Sequence, residues 1–303
     1  MKSILILGSE GFIGSHVVQA ALRKGYRVQG IDIADRSPSR YQYEKLSIAS
    51  SDMESFLKGK NYDMVINCAG SGNVGFSVQH PLGDFDFNTR SVMFVLEAIR
   101  KHLPGVQYVH LSSAAVYGNP SQLPVDEGHP IRPVSPYGYH KWLSEIICGE
   151  YAALYHLRIS VVRPFSVYGP GLQKQLLWDV FQRSRHTNEV TLWGTGEETR
   201  DFIFVEDAAT ALLVIGDKTG DHLETYNLAS GVSISVKEVV QQLFSALGWE
   251  RVINCNQEIR EGDPRFWQAD ITKLQGIGFR PSFCLKEGLL QTAAWMKGME
   301  NSL

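Results

Sequence analysis

An apolar run, Ile4-Leu5-Ile6-Leu7, passes directly into Gly8-Ser9-Glu10-Gly11-Phe12-Ile13-Gly14, and the residues that follow carry helical spacing. This order of strand, glycine turn and helix constrains the chain more than any other stretch. Glycines let the backbone turn tightly and approach a pyrophosphate, while a helix N-terminus offers that anion free N–H groups and a favourable dipole. The stretch reads as a dinucleotide-binding turn, with Gly8, Gly11, Phe12, Ile13 and Gly14 as cofactor-contacting positions. By itself the pattern also suits an ordinary βα turn of a parallel sheet.

A second apolar run, Arg27-Val28-Gln29-Gly30-Ile31, ends in Asp32, 18 residues beyond Gly14. An acid there accepts hydrogen bonds from the adenosine ribose and repels a 2′-phosphate, so the expected cofactor is NAD rather than NADP. Arg36 and Arg40 are read as solvated loop arginines.

The chain of 303 residues is long enough for one large or two ordinary domains. A net charge of −3 without a basic stripe excludes a nucleic-acid surface and leaves small-molecule chemistry. No apolar stretch is long enough to span a bilayer, and Met1-Lys2 runs straight into the first strand, so no membrane and a cytoplasmic location are expected. Cys68, Cys148, Cys255 and Cys284 lack metal-ligand spacing and are expected to be reduced and mostly buried.

Strand-like runs at 4–7, 27–31, 63–68, 106–111 and 158–163 alternate with helical patterns near 12–24, 88–103 and 138–156. That alternation predicts an α/β fold, a doubly wound parallel (Rossmann) sheet, with ligands at the carboxyl ends of its strands. After Arg163-Pro164 the rhythm changes to Gly/Pro loops, a helix near 175–186 and a strand at 190–193. The expected organisation is a cofactor domain over 1–165, to which 201–245 returns, and a smaller C-terminal substrate domain over 166–200 and 246–303. The run 202–209 is read as a strand and a helix start that return to the main sheet.

Tyr137-Gly138-Tyr139-His140-Lys141 sets a phenol and an ammonium four residues apart, on one face of a helix. The strand before it ends in Leu111-Ser112-Ser113-Ala114-Ala115-Val116-Tyr117-Gly118, so Ser113, Tyr137 and Lys141 can converge beside a nicotinamide. An ammonium and an oxidised nicotinamide both favour the phenolate. Tyr137 would then take the proton of a substrate hydroxyl as hydride leaves its carbon, Ser113 would bond the same oxygen, and Lys141 would also hold the nicotinamide ribose. His140 reads as an exposed helix residue.

These segments, with Asp32, Arg163 to Gly171 and Thr199-Arg200-Asp201-Phe202, resemble the extended short-chain dehydrogenase/reductases of the nucleotide-sugar epimerase/dehydratase group over nearly the whole chain. The resemblance implies an NAD cofactor, a nucleoside-diphosphate sugar substrate and a homodimer paired through the helices at 88–103 and 138–156. It implies cofactor contacts at Asp52 (adenine, with a helix cap as the alternative), at Asn67 and Ala69 in Asn67-Cys68-Ala69-Gly70, and at Pro164. It further implies that Asn88 orders the site and that Arg200 and Arg260 clamp the diphosphate, for which a planar guanidinium fork is suited. Trp193 is expected in the core, with stacking on a nucleotide base as the alternative.

Two departures narrow the chemistry. Members that eliminate water carry an acidic pair after the serine; here Ala114 and Ala115 stand there, and methyl groups move no protons. Ser166 replaces the usual substrate-contacting asparagine. C4 epimerisation through a 4-keto sugar is the favoured expectation, a 4-keto reductase is the alternative, and a nucleotide-binding protein without turnover is the reading from another class.

Overall fold

The computed structural model describes residues 1–36, 38–218, 220, 222–258 and 265–300. Seven strands form the main sheet: β1 (Ser3–Leu7), β2 (Arg27–Asp32), β3 (Gln42–Lys45), β4 (Met64–Asn67), β5 (Gln107–Leu111), β6 (Arg158–Pro164) and β10 (Glu224–Leu228). Their spatial order is β10-β6-β5-β4-β1-β2-β3, and every pair is parallel. The predicted doubly wound sheet is therefore present, and the order reverses between β1 and β4, where such sheets bind ligands.

The side-chain alternation of β1 shows why both faces must be covered. Ile4 and Ile6 enter one core with Val17 and Ala21 of α1 (Phe12–Arg23) and Leu212 and Ile215 of α8 (Val205–Lys218). Leu5 and Leu7 enter the opposite core with Met53 of α2 (Asp52–Leu57), Val95 and Ile99 of α5 (Ser91–His102), and Cys148 of α6 (Pro136–Tyr155). A strand buried on both faces has no polar side, which is why it reads as a continuous apolar run.

Between β4 and α5 lie α3 (Val74–Gln79), α4 (Pro81–Phe85) and a π-helical turn at Asp86–Arg90. The helix expected near 88–103 thus starts with a widened turn.

The remaining elements build a second core. A three-stranded sheet joins β7 (Ser166–Tyr168), β9 (Thr199–Phe204) and β11 (Ser233–Ser235), and β8 (Glu189–Leu192) pairs with β12 (Val252–Cys255). These pack with α7 (Gln175–Ser184), α9 (Val236–Leu247) and α11 (Leu285–Glu300) around Phe181, Leu192, Phe204, Leu243 and Ala293. The short α10 (Thr272–Gly276) lies against β10.

The expectation for 202–209 holds for its helix and is corrected for its strand. Strand β9 bonds to β7 and β11, not to the main sheet; the chain re-enters the main layer through α8 and β10. Likewise α9, inside the span 201–245, packs in the second core. An apolar strand pattern specifies burial, not which sheet buries it.

Candidate active site

Ser113 follows β5, and its Oγ accepts from Ala115 N at 3.1 Å, starting a 3₁₀ turn over Ala114–Val116. Helix α6 opens with Ser135 as its N-cap, accepting from Gly138 N at 3.2 Å, and with Pro136 in its first turn. A Cβ on Gly138 would stand 2.7 Å from Ala115 O. The glycine therefore lets α6 seat directly on the turn after β5, which brings the Tyr137 phenol close to the Ser113 hydroxyl. One helical turn on, Lys141 is buried at 5% exposure and donates from Nζ to Leu111 O at 2.9 Å. The structure thus brings all three predicted catalytic side chains to one place.

Desolvation governs their charge. Burial pushes the Tyr137 phenol up to about 12, the charge of Asp84 adds to the rise, and the Ser113 hydrogen bond opposes it. Burial lowers Lys141 to about 8 against the pull of Asp84 and Glu145, so the ammonium persists at neutral pH and is lost as pH rises through about 8. Without a bound positive charge the protein's own groups thus raise the Tyr137 phenol, and Lys141 is not among the groups that lower it.

These groups open on a cavity of about 950 Å³. Gly11, Phe12, Ile13, Ala69, Gly70, Ser113, Tyr137, Lys141, Pro164, Ser166 and Arg200 line it. The glycine turn fits a dinucleotide. Gly8 has φ +76°, and a Cβ on Gly14 would lie 1.9 Å from Gly8 O, so the turn closes only without side chains. Gly11 gives α1 no side-chain cap, which leaves the helix's first N–H groups to an anion. Asp32 ends β2 beside this turn, its carboxylate accepting from Glu10 N at 3.0 Å and Ala34 N at 3.1 Å.

Other candidates stand behind the wall or away from it. Asn67 is buried; its amide donates to Tyr108 OH at 2.9 Å and accepts from Ala69 N at 3.1 Å, shaping the loop after β4. Asn88 is 1% exposed and accepts from Ser71 N at 3.1 Å, so it orders that loop without reaching the cavity. Asp52 is exposed at the first turn of α2 and bonds Ser50 Oγ at 2.8 Å, as a helix-start residue does. Arg260 lies outside the described residues.

Three local readings are corrected. Trp193 is 52% exposed on the cavity rim, not in the core. His140 is not an exposed helix residue: its Nδ1 lies 2.6 Å from Oδ2 of the fully buried Asp84. Of the four free cysteines only Cys148 is buried, and Cys284 is exposed. Each is set by what another element places alongside, which local spacing does not encode.

Arg200 donates to Thr199 O at 2.9 Å and Arg265 O at 3.2 Å, with its guanidinium 5.9 Å from the Trp267 ring centroid. The neighbouring Asp201 is engaged elsewhere, accepting from Ser230, Gly231 and Ala269 N–H groups, so its sequence neighbour is not what orients Arg200. Lys174, Arg265 and Trp267 also line the cavity. Sequence reading passed over them because no motif marks them; chain folding alone carries them to the rim.

Against known proteins, the model of the NAD dependent epimerase/dehydratase family matches residues 4–229. The chain belongs to this family. A Methanocaldococcus jannaschii protein provisionally named UDP-glucose 4-epimerase is 31% identical over 304 residues, covering 97% of this chain and 98% of that one. Among solved structures, the UDP-glucose 4-epimerase of Thermotoga maritima with UDP-glucose superposes with TM-score 0.90 at 28% identity, covering 98% and 99%. That of Thermus thermophilus in complex with NAD gives TM-score 0.89 at 25% identity, also covering 98% and 99%. As a member of the epimerase/dehydratase family, the protein is an enzyme whose dinucleotide is NAD, and the glycine turn, closed without side chains and with uncapped N–H groups, has the form that such a group needs. No helix among the described residues is long and apolar enough to cross a membrane.

Proposed function

We propose that this enzyme inverts C4 of a nucleoside-diphosphate sugar. The observation that carries the reading is the Tyr137–Ser113 hydroxyl pair facing the cavity, with Ala114 and Ala115 following the serine. Held by the glycine turn and Asp32, NAD would supply the acceptor and donor of the sugar carbon's hydride. A positive charge bound beside Tyr137 would offset the burial that raises its phenol, and Tyr137 would take the proton of the C4 hydroxyl and later give it back. Ser113 bonds the same oxygen through both half-reactions. Lys141, held by Leu111 O, supplies a fixed ammonium to the ribose side. No acid follows Ser113 to protonate a leaving hydroxyl, so the 4-keto sugar keeps its C6 substituent and only turns over.

On the nucleotide side, Arg200 serves the diphosphate and Trp193 offers an exposed ring to the base. Asp52 as an adenine contact and Arg260 as a second phosphate contact are carried by the resemblance alone. Cytoplasmic operation fits a substrate made inside cells. Pairing of two copies through α5 and α6 fits the exposed Met93, Leu143, Ile146 and Leu154 on those helices.

The test is to assay nicotinamide nucleotide released on denaturation and to incubate the native enzyme, without added cofactor, with UDP-glucose, UDP-N-acetylglucosamine and their galacto epimers. Interconversion of one pair is expected, and Tyr137→Phe should lower kcat by at least about a thousandfold with NAD retained. Consumption of added NADH or NADPH with a 4-keto sugar nucleotide, and no interconversion, makes the enzyme a reductase instead.

A further inference from the structure

Asp84 in α4 is fully buried within reach of the catalytic helix. An ionised carboxylate is costly to bury, so it needs partners. It has two: Oδ2 lies 2.6 Å from His140 Nδ1, and Oδ1 accepts from Asn88 Nδ2 at 3.0 Å. The other end of the Asn88 amide accepts from Ser71 N at 3.1 Å. A Cβ on Gly70 would meet Asn88 Oδ1 at 2.7 Å and Lys141 Nζ at 3.5 Å, so this segment is wedged between the amide and the ammonium. Thr89 Oγ1 donates to His140 O at 2.9 Å, tying the π-helical turn to α6 a second time. A single π-helical turn is frequently placed at a functional site, and here it carries Asn88.

An amide has two orientations, and only one of them presents oxygen to Ser71 N. An acceptor at position 84 selects it. We propose that Asp84 is a positioning residue for the reaction: it orients the Asn88 amide so that the Gly70–Ser71 segment is held against Lys141, with His140 anchoring the carboxylate to the catalytic helix. His140 sits between Tyr137 and Lys141 in sequence yet does not line the cavity; its ring meets Asp84 instead.

The inference rests on the epimerase reading for its kinetic arm only; its second arm, the affinity for NAD measured by calorimetry on protein stripped of nucleotide, holds whatever sugar is turned over. In Asp84→Ala, kcat should fall at least about tenfold while KM for the sugar nucleotide stays within about twofold, and NAD should bind at least about fivefold more weakly. Asp84→Asn, whose carbonyl still accepts from Asn88, should recover most of both losses. A folded Asp84→Ala with wild-type kcat and NAD affinity overturns the proposal, as does an Asp84→Asn as impaired as the alanine variant. If Asp84→Ala fails to fold, Asn88→Ala must show the same fall in kcat and NAD affinity, and wild-type values there overturn it equally.

Discussion

At the scale of single residues, the site depends on atoms that are missing as much as on those present. Gly14 has no room for a methyl group beside Gly8 O, and Gly138 has none beside Ala115 O. The first closes the phosphate turn, and the second lets a phenol reach a serine. Gly14→Ala should therefore lose NAD binding and lower the melting temperature, because the clash at 1.9 Å is with backbone that cannot rotate away. Calorimetric titration with NAD checks this, and wild-type affinity would show that the turn tolerates opening. The proposed catalytic residues, Ser113, Tyr137 and Lys141, were legible because their chemistry and spacing are local. Asp84 was not: an aspartate in a polar stretch has no signal until His140 and Asn88 are placed on either side.

At the scale of elements, α6 is fixed to the sheet by polar as well as apolar contacts. Glu145 of α6 receives Arg163 of β6 at 3.0 Å from Nε and 2.6 Å from Nη2, and Ser112 Oγ donates to the same carboxylate. Arg163 also donates to Tyr117 OH at 2.8 Å and Glu127 O at 3.1 Å. Removing one partner of a buried, multiply bonded pair leaves the other charge uncompensated. Arg163→Met should thus cost about 3–5 kcal/mol in urea unfolding, and a loss under about 1 kcal/mol would show that Glu145 finds another donor. Helix α6 was readable over 138–156 from its helical pattern, and β1, β2, β4, β5 and β6 from their apolar runs. The π-helical turn and the partnership of β9 were not, since both depend on packing against chain far away in sequence.

At the scale of the whole molecule, the cavity lies where two cores meet: the glycine turn and catalytic helix come from the main sheet, and Trp193 and Arg200 from the second unit. Neither core holds the site alone. On the opposite side of the catalytic helix, the exposed Leu143, Ile146 and Leu154 of α6 would be covered in a homodimer. Ile146→Glu together with Leu154→Glu should then yield monomers by light scattering at micromolar protein, with the far-ultraviolet spectrum retained. A wild-type protein that is itself monomeric at that concentration ends the pairing proposal.

The sequence by itself determined the parallel sheet, the glycine turn after β1, the acid Asp32 at the end of β2 and the gathering of Ser113, Tyr137 and Lys141. These follow from backbone sterics, side-chain period and spacing within one or two turns, all of which are local. Only the tertiary structure decided that Trp193 stands at a rim, that His140 is bonded to a buried carboxylate, that Asn67 and Asn88 shape a loop from behind, and which sheet receives β9. Burial, hydrogen-bond partners and the resulting proton affinities are properties of neighbours, and the neighbours are chosen by the fold.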